Sequence, residues 1–138
     1  SVQFALDLGF EEALSCEMME PRYNHCMDKF SENDNVSLWL GGSEDCFVEM
    51  MKHVDKKSCF WLDAHGEGGG VPTFDELDLI EKNEIKDHTI IIDDIPVYFA
   101  GRIQQLESKL KSINPDYTLT YYKSINREQD YVLAAYIE

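Results

Sequence analysis

Two apolar runs that end in acids, Cys59-Phe-Trp-Leu-Asp-Ala-His65 and His88-Thr-Ile-Ile-Ile-Asp-Asp-Ile-Pro96, constrain this chain more than any other feature. Each is short, almost continuously apolar and bounded by turn signals, the pattern of a central strand buried on both faces of a sheet. Their polar ends then mark one edge of that sheet. In an open α/β sheet, ligands bind outside the carboxyl ends of the strands, so Asp63, His65, Asp93 and Asp94 are expected to converge on one cleft. Between the runs lies Gly66-Glu-Gly-Gly-Gly70, followed by Thr73 with Glu76 three positions on, the spacing of a capping box at a helix start. The glycine loop lacks the Lys and Ser/Thr of a phosphate-binding loop and the GxGxxG spacing of a dinucleotide site, so a flexible lid is the expectation.

The rest of the chain alternates between helical and strand periods. A helix is expected over Ser1–Phe10, with Ser1 as its cap and Gly9 near its end, then a strand ending at Glu17. Pro21 starts a second helix, which runs to about Phe30. Val36–Leu40 reads as a strand that meets Gly41-Gly42-Ser43, and Ser43 with Glu44 and Asp45 marks the start of a helix reaching about Val54. After the Ile-Asp-Asp turn, apolar residues at helical spacing predict one helix over Val97–Ile113, stopped by Asn114-Pro115. Two tyrosine-rich runs, Tyr117–Tyr122 and Tyr131–Ile137, flank a polar turn at Asn126–Asp130 and predict an antiparallel hairpin at the sheet edge. The resulting order, α-β-α-β-α-β-α-β-α-β-β, specifies an α/β domain with a mostly parallel sheet and right-handed crossovers.

At 138 residues the chain fits one domain, spanning 1–138. With 27 acidic against 12 basic side chains and a formal charge of −15, it is ill suited to nucleic acid or an anionic membrane surface. Cys16, Cys26, Cys46 and Cys59 show no CxxC spacing and sit in or beside apolar runs, as buried free thiols of a reducing compartment do. No stretch approaches the roughly 20 apolar residues of a membrane span, and the first residues lack a signal-peptide pattern. A soluble, cytoplasmic protein is the expectation.

An acid at the end of an early strand (Glu17), a Gly-Gly-Ser turn after the next, a Leu-Asp-Ala-His turn after a third, an Asp-Asp pair after a fourth and a closing hairpin together resemble a class I S-adenosylmethionine-dependent methyltransferase. The resemblance covers essentially the whole chain. Within that superfamily the LDAH and IDD turns look most like the branch of macrocin-type O-methyltransferases and cephalosporin-hydroxylase-like proteins, several of which use a divalent cation. It implies a Rossmann-like three-layer sandwich. The family's first strand and its glycine-rich turn are missing, because the sequence begins at the helix that would follow them. Unpaired strand edges are costly when buried, so a longer parent chain, closure of the strands, or strand exchange in a homo-oligomer are the alternatives.

By that resemblance Glu17 would accept hydrogen bonds from the cofactor ribose, and Ser43 with Glu44 would lie against the adenine. A solvated loop acid and a plain helix cap are the bland alternatives. Gly41-Gly42 departs from the commoner Gly-Asp pattern at that turn. Asp93 and Asp94 follow an apolar run, where their repulsion calls for a cation, donor or proton. Hard oxygen ligands favour Mg²⁺ or Ca²⁺, and His65 would move the preference toward Mn²⁺. Asp63 is either a general base acting on an acceptor hydroxyl or a further ligand; Asp63 and His65 could instead brace the glycine loop. Of the flanking aromatics Phe60, Trp61, Phe74, Tyr98 and Phe99, most are expected in the core, with Tyr98 toward the acceptor. His25, His53 and His88 are expected at the surface.

Two functions of different class follow. One is methyl transfer to a small hydroxylated acceptor, with Asp63 as base and His65, Asp93 and Asp94 holding a metal ion. The other is a non-catalytic relative that keeps the fold for binding or assembly.

Overall fold

The alternation of short apolar runs with amphipathic segments is realised as strands joined by helices in a computed structural model that describes residues 1–65, 70–123 and 130–138. Two compact units divide the chain at His53 and Val54. The Gly66–Gly69 part of the glycine loop and most of the polar turn between the tyrosine-rich runs lie outside the described residues.

The first unit contains α1 (Val2–Asp7), β1 (Ala13–Glu17), α2 (Glu20–Lys29), β2 (Val36–Leu40) and α3 (Ser43–Met51). β1 and β2 pair in parallel from Ala13↔Val36 to Glu17↔Leu40. α1 is shorter than its apolar spacing predicts, because the chain leaves the helix at Gly9, whose φ of 89° favours glycine. Pro21 sits in the first turn of α2, where its missing N–H costs nothing. Ser43 is not the cap of α3. Gly42 takes that position, and Ser43 is the first helical residue. α3 turns Cys46, Phe47 and Met50 inward. Gly41 is fixed by space as well as by its φ of 150°, since a Cβ there would meet Cys46 Sγ at 2.8 Å.

The second unit contains β3 (Cys59–Leu62), α4 (Thr73–Lys82), β4 (Thr89–Ile92), α5 (Ile95–Tyr98), α6 (Ile103–Ile113), β5 (Thr118–Lys123) and β6 (Asp130–Tyr136). The strand order is β3-β4-β6-β5, with β3 and β4 parallel and β6 antiparallel to both its neighbours. Of the two hairpin strands, β5 therefore lies at an edge of the sheet, opposite the edge formed by β3, and β6 is an interior strand. Its Leu133, Ala134 and Ala135 are buried accordingly, and Ala135 stands opposite Ile90. Leu62, Ile90, Ile92, Leu77, Ile80, Leu106 and Leu110 complete the core. Burying each such side chain is worth about 1.5–3 kcal/mol. Lys109 on α6 bonds Glu81 at 2.5 Å and also pairs with Asp78, tying α6 to α4.

Four local expectations are corrected. The single helix over Val97–Ile113 is broken into α5 and α6, because Gly101 adopts a φ of 81° between them. The Thr73–Glu76 capping box does not form: Pro72 occupies the cap and Thr73 lies inside the helix, 2% exposed. Cys59 is exposed rather than buried, although all four cysteines are free. His88 is fully buried, not a surface residue; its Nδ1 accepts the Ser58 N–H at 3.1 Å and its ring meets Phe60 edge-on at 5.0 Å. Among the described residues no helix is long and apolar enough to cross a membrane.

Candidate functional site

Parallel pairing of β3 with β4 sets Leu62 beside Ile92, so the residues that follow leave the sheet side by side. The Asp93 N–H donates to the Leu62 carbonyl at 3.1 Å and extends that ladder by one step. Asp93 Oδ1 then accepts the Asp94 N–H at 2.8 Å, while Asp94 turns into the left-handed region at φ 56° and caps α5. This turn swings the Asp94 side chain toward the end of β3. Asp63, His65 and Asp94 each offer a ligand atom there, all within 4.8 Å of one another.

A pocket surrounds the three, lined by Leu62, Ala64, Val71 and Thr73 on one part and by Asp93, Tyr98 and Phe99 on another. Tyr98 stacks on His65, with ring centroids 5.6 Å apart and planes at 24°. Asp63 is exposed as a residue, yet partial burial of its carboxyl pushes its pKa up, and the charges of Asp93 and Asp94 push it further. His65 and the Trp61 side chain act in the opposite direction. The carboxyl group is thus more basic than an ordinary aspartate, as a proton acceptor for a weakly acidic hydroxyl needs to be.

Of the residues singled out in the second unit, the structure brings Asp63, His65 and Asp94 together. Asp93 lines the same pocket, but one of its oxygens is committed to the Asp94 amide. Glu17, Ser43 and Glu44 belong to the first unit. There the Glu17 carbonyl accepts the Gly41 N–H at 3.0 Å, so the ends of β1 and β2 lie together. Glu17 Oε1 accepts the Met19 N–H at 2.8 Å and braces the start of α2. Ser43 is 6% exposed, and its Oγ has no hydrogen-bond partner among the described residues. Glu44 is exposed in the first turn of α3.

Two participants escaped the sequence reading. Trp61, grouped there with aromatics most of which were expected in the core, is 53% exposed and acts to lower the Asp63 pKa; its alternation with the buried Phe60 and Leu62 is the signal that could have found it. Arg102 lies over the rings of Phe74 and Phe99 at 5.3 and 5.8 Å and donates to the Tyr98 carbonyl, fixing the chain behind the pocket. Its spacing gave no such signal.

The Asp94 carboxylate and the His65 imidazole, with Asp63 beside them, make a mixed oxygen and nitrogen donor set that suits Mn²⁺ better than Mg²⁺, and the orphaned buried hydroxyl of Ser43 fits a polar ligand group at the end of β2. No family model matches the chain, and no curated protein matches it. Solved structures do. An O-methyltransferase from Bacillus cereus in complex with SAH shares 12% identity at a TM-score of 0.61, over 99% of this chain and 78% of that one. SAH-bound PaMTH1, a methyltransferase from Podospora anserina, shares 11% identity at a TM-score of 0.55, over 99% and 76%. A Clostridium thermocellum protein assigned as an rRNA methylase shares 13% identity at 0.55, over 91% and 74%. The chain has the Rossmann-like α/β fold of class I methyltransferases.

Proposed function

We propose that the chain is an S-adenosylmethionine-dependent methyltransferase that acts on a small hydroxylated acceptor with the help of a divalent cation. The observation that carries this reading is the meeting of Asp63, His65 and Asp94 within 4.8 Å at the carboxyl ends of β3 and β4, in a chain with this fold. SAH, held by two of the structural neighbours, is what S-adenosylmethionine becomes when its methyl group leaves. The LDAH and IDD turns that carry the cluster are the reason to favour the macrocin-type branch.

In this reading Asp94 and His65 would hold the ion, Asp93 sets the turn that aims Asp94, and Tyr98 faces the acceptor. Asp63 takes the proton from the acceptor hydroxyl. A bound Mg²⁺ or Mn²⁺ would polarise that hydroxyl and hold it in place. The Glu17 carboxylate keeps one oxygen beyond its bond to Met19 for ribose hydroxyls, and Ser43 and Glu44 are assigned to the adenine. The large negative charge supports a small-molecule acceptor over nucleic acid.

A non-catalytic binding role is the second reading. It is favoured by the local use of two site acids, Glu17 by the Met19 amide and Asp93 by the Asp94 amide. Calorimetric titration with SAH, with Mn²⁺ present and absent, tests the first reading. Saturable binding of SAH supports it, and failure of both SAH and Mn²⁺ to bind would leave only the second.

A further inference from the structure

We infer that Tyr98 is a positioning residue of the carboxylate cluster: its ring, carried on α5 one turn beyond Asp94, stacks on His65 and holds that imidazole toward Asp63 and Asp94. The Tyr98 N–H donates to the Asp94 carbonyl at 3.2 Å, which sets the two residues one above the other on the same face of α5. A single short helix therefore supplies one candidate ligand and the brace of another, which comes from the carboxyl end of β3. With ring centroids 5.6 Å apart and planes at 24°, the pair falls in the range of favourable stacking. Among the described residues no hydrogen bond fixes the His65 ring, so its orientation depends on this contact.

The brace is itself held. Ile95 and Phe99 are 2% and 1% exposed and fasten α5 to the core. The Arg102 side chain donates to the Tyr98 carbonyl at 3.3 Å, while its guanidinium lies over the rings of Phe74 and Phe99. Tyr98 is half-buried and His65 is exposed, so the anchored ring orders the free one and not the reverse. A histidine that ligates a metal is usually oriented by a hydrogen bond from its second ring nitrogen. Here the stack on Tyr98 does that work from outside the ligand set. An imidazole held in advance spares an incoming ion the cost of ordering it, which corresponds to an affinity gain of about three- to ten-fold.

The inference rests on the cation reading proposed above, and its test separates the two. The chain has four histidines, so the imidazole C–H signal of His65 in a ¹H–¹³C spectrum is identified as the one missing from His65→Gln. Tyr98→Leu, which removes the ring, should move that signal downfield as the ring current is lost, and Tyr98→Phe, which keeps the ring and removes the hydroxyl, should leave it in place. Mn²⁺ affinity should follow the same split: about three- to ten-fold weaker in Tyr98→Leu and equal to the parent in Tyr98→Phe. A His65 signal unmoved by Tyr98→Leu, or Mn²⁺ binding weakened as much by Tyr98→Phe as by Tyr98→Leu, would overturn the assignment. If the signal moves in Tyr98→Leu alone while not even the parent binds Mn²⁺, the hold of Tyr98 on His65 stands and the cation reading falls.

Discussion

Asp93 accepts the backbone N–H of Asp94 through Oδ1 at 2.8 Å, and Asp94 beyond it adopts a φ of 56°. The paired acids thus divide their work: the first shapes the turn, and the second is delivered to the ligand cluster. Replacing Asp93 by Ala removes a charge-assisted hydrogen bond and should lower stability by about 1–2 kcal/mol. Asp94→Gly relieves a left-handed backbone that costs a non-glycine residue about 1 kcal/mol, so stability should hold or rise while Mn²⁺ binding is lost. Urea unfolding with and without Mn²⁺ checks both. Equal ion binding by the Asp94→Gly protein would remove Asp94 from the ligand set.

His88 predicts an acid-sensitive fold. Its Nδ1 accepts the Ser58 N–H at 3.1 Å, so a proton arriving there would confront another donor. Burial lowers its pKa from the ordinary 6.5; Asp87 opposes that shift, while Lys86 and Lys57 add to it. With the folded-state pKa below the unfolded one, the unfolded chain binds more protons as the solution is acidified. The stability due to neutral His88 is therefore present above pH 6.5 and is lost progressively below it. His88→Gln keeps an acceptor for Ser58 and cannot titrate. The stability lost between about pH 7.5 and about pH 5 should be smaller in that variant than in the parent, and an equal loss would assign the acid sensitivity elsewhere.

Gly101 separates α5 from α6 at a φ of 81°, and a Cβ there would meet nothing within 4 Å. Gly101→Ala should cost about 1 kcal/mol through backbone strain alone and leave Mn²⁺ affinity unchanged. A loss of Mn²⁺ binding in a folded Gly101→Ala protein would show that the α5–α6 break positions Tyr98 or Asp94.

What the sequence made legible followed from periodicity and punctuation. Val36–Leu40 emerged as a strand at its expected bounds and the run from Cys59 as a strand that ends at Leu62, because short apolar runs closed by Gly or Asp have few other solutions. The convergence of Asp63, His65 and Asp94 followed from parallel strands ending in polar residues. Contacts that depend on local geometry did not show. Thr73 and Ser43 have the chemistry of caps, yet Pro72 and Gly42 occupy those positions. His88 stands next to charged Lys86 and Asp87 and reads as exposed, but strand pairing with the Ser58 region buries it. Gly101 was outweighed by the apolar spacing around it, which continues through the break.

Methyl transfer itself is the most direct measurement. The protein is incubated with S-adenosylmethionine labelled in its methyl group and a panel of small phenols and vicinal diols, with Mn²⁺ or with a chelator, and the label in the acceptor is counted. Label should appear with Mn²⁺ and fall with the chelator, and Asp63→Asn should reduce the rate at least about 100-fold, the range expected for loss of a general base. Label transfer by the parent protein no greater than that of Asp63→Asn, under conditions where both are folded, would contradict the account.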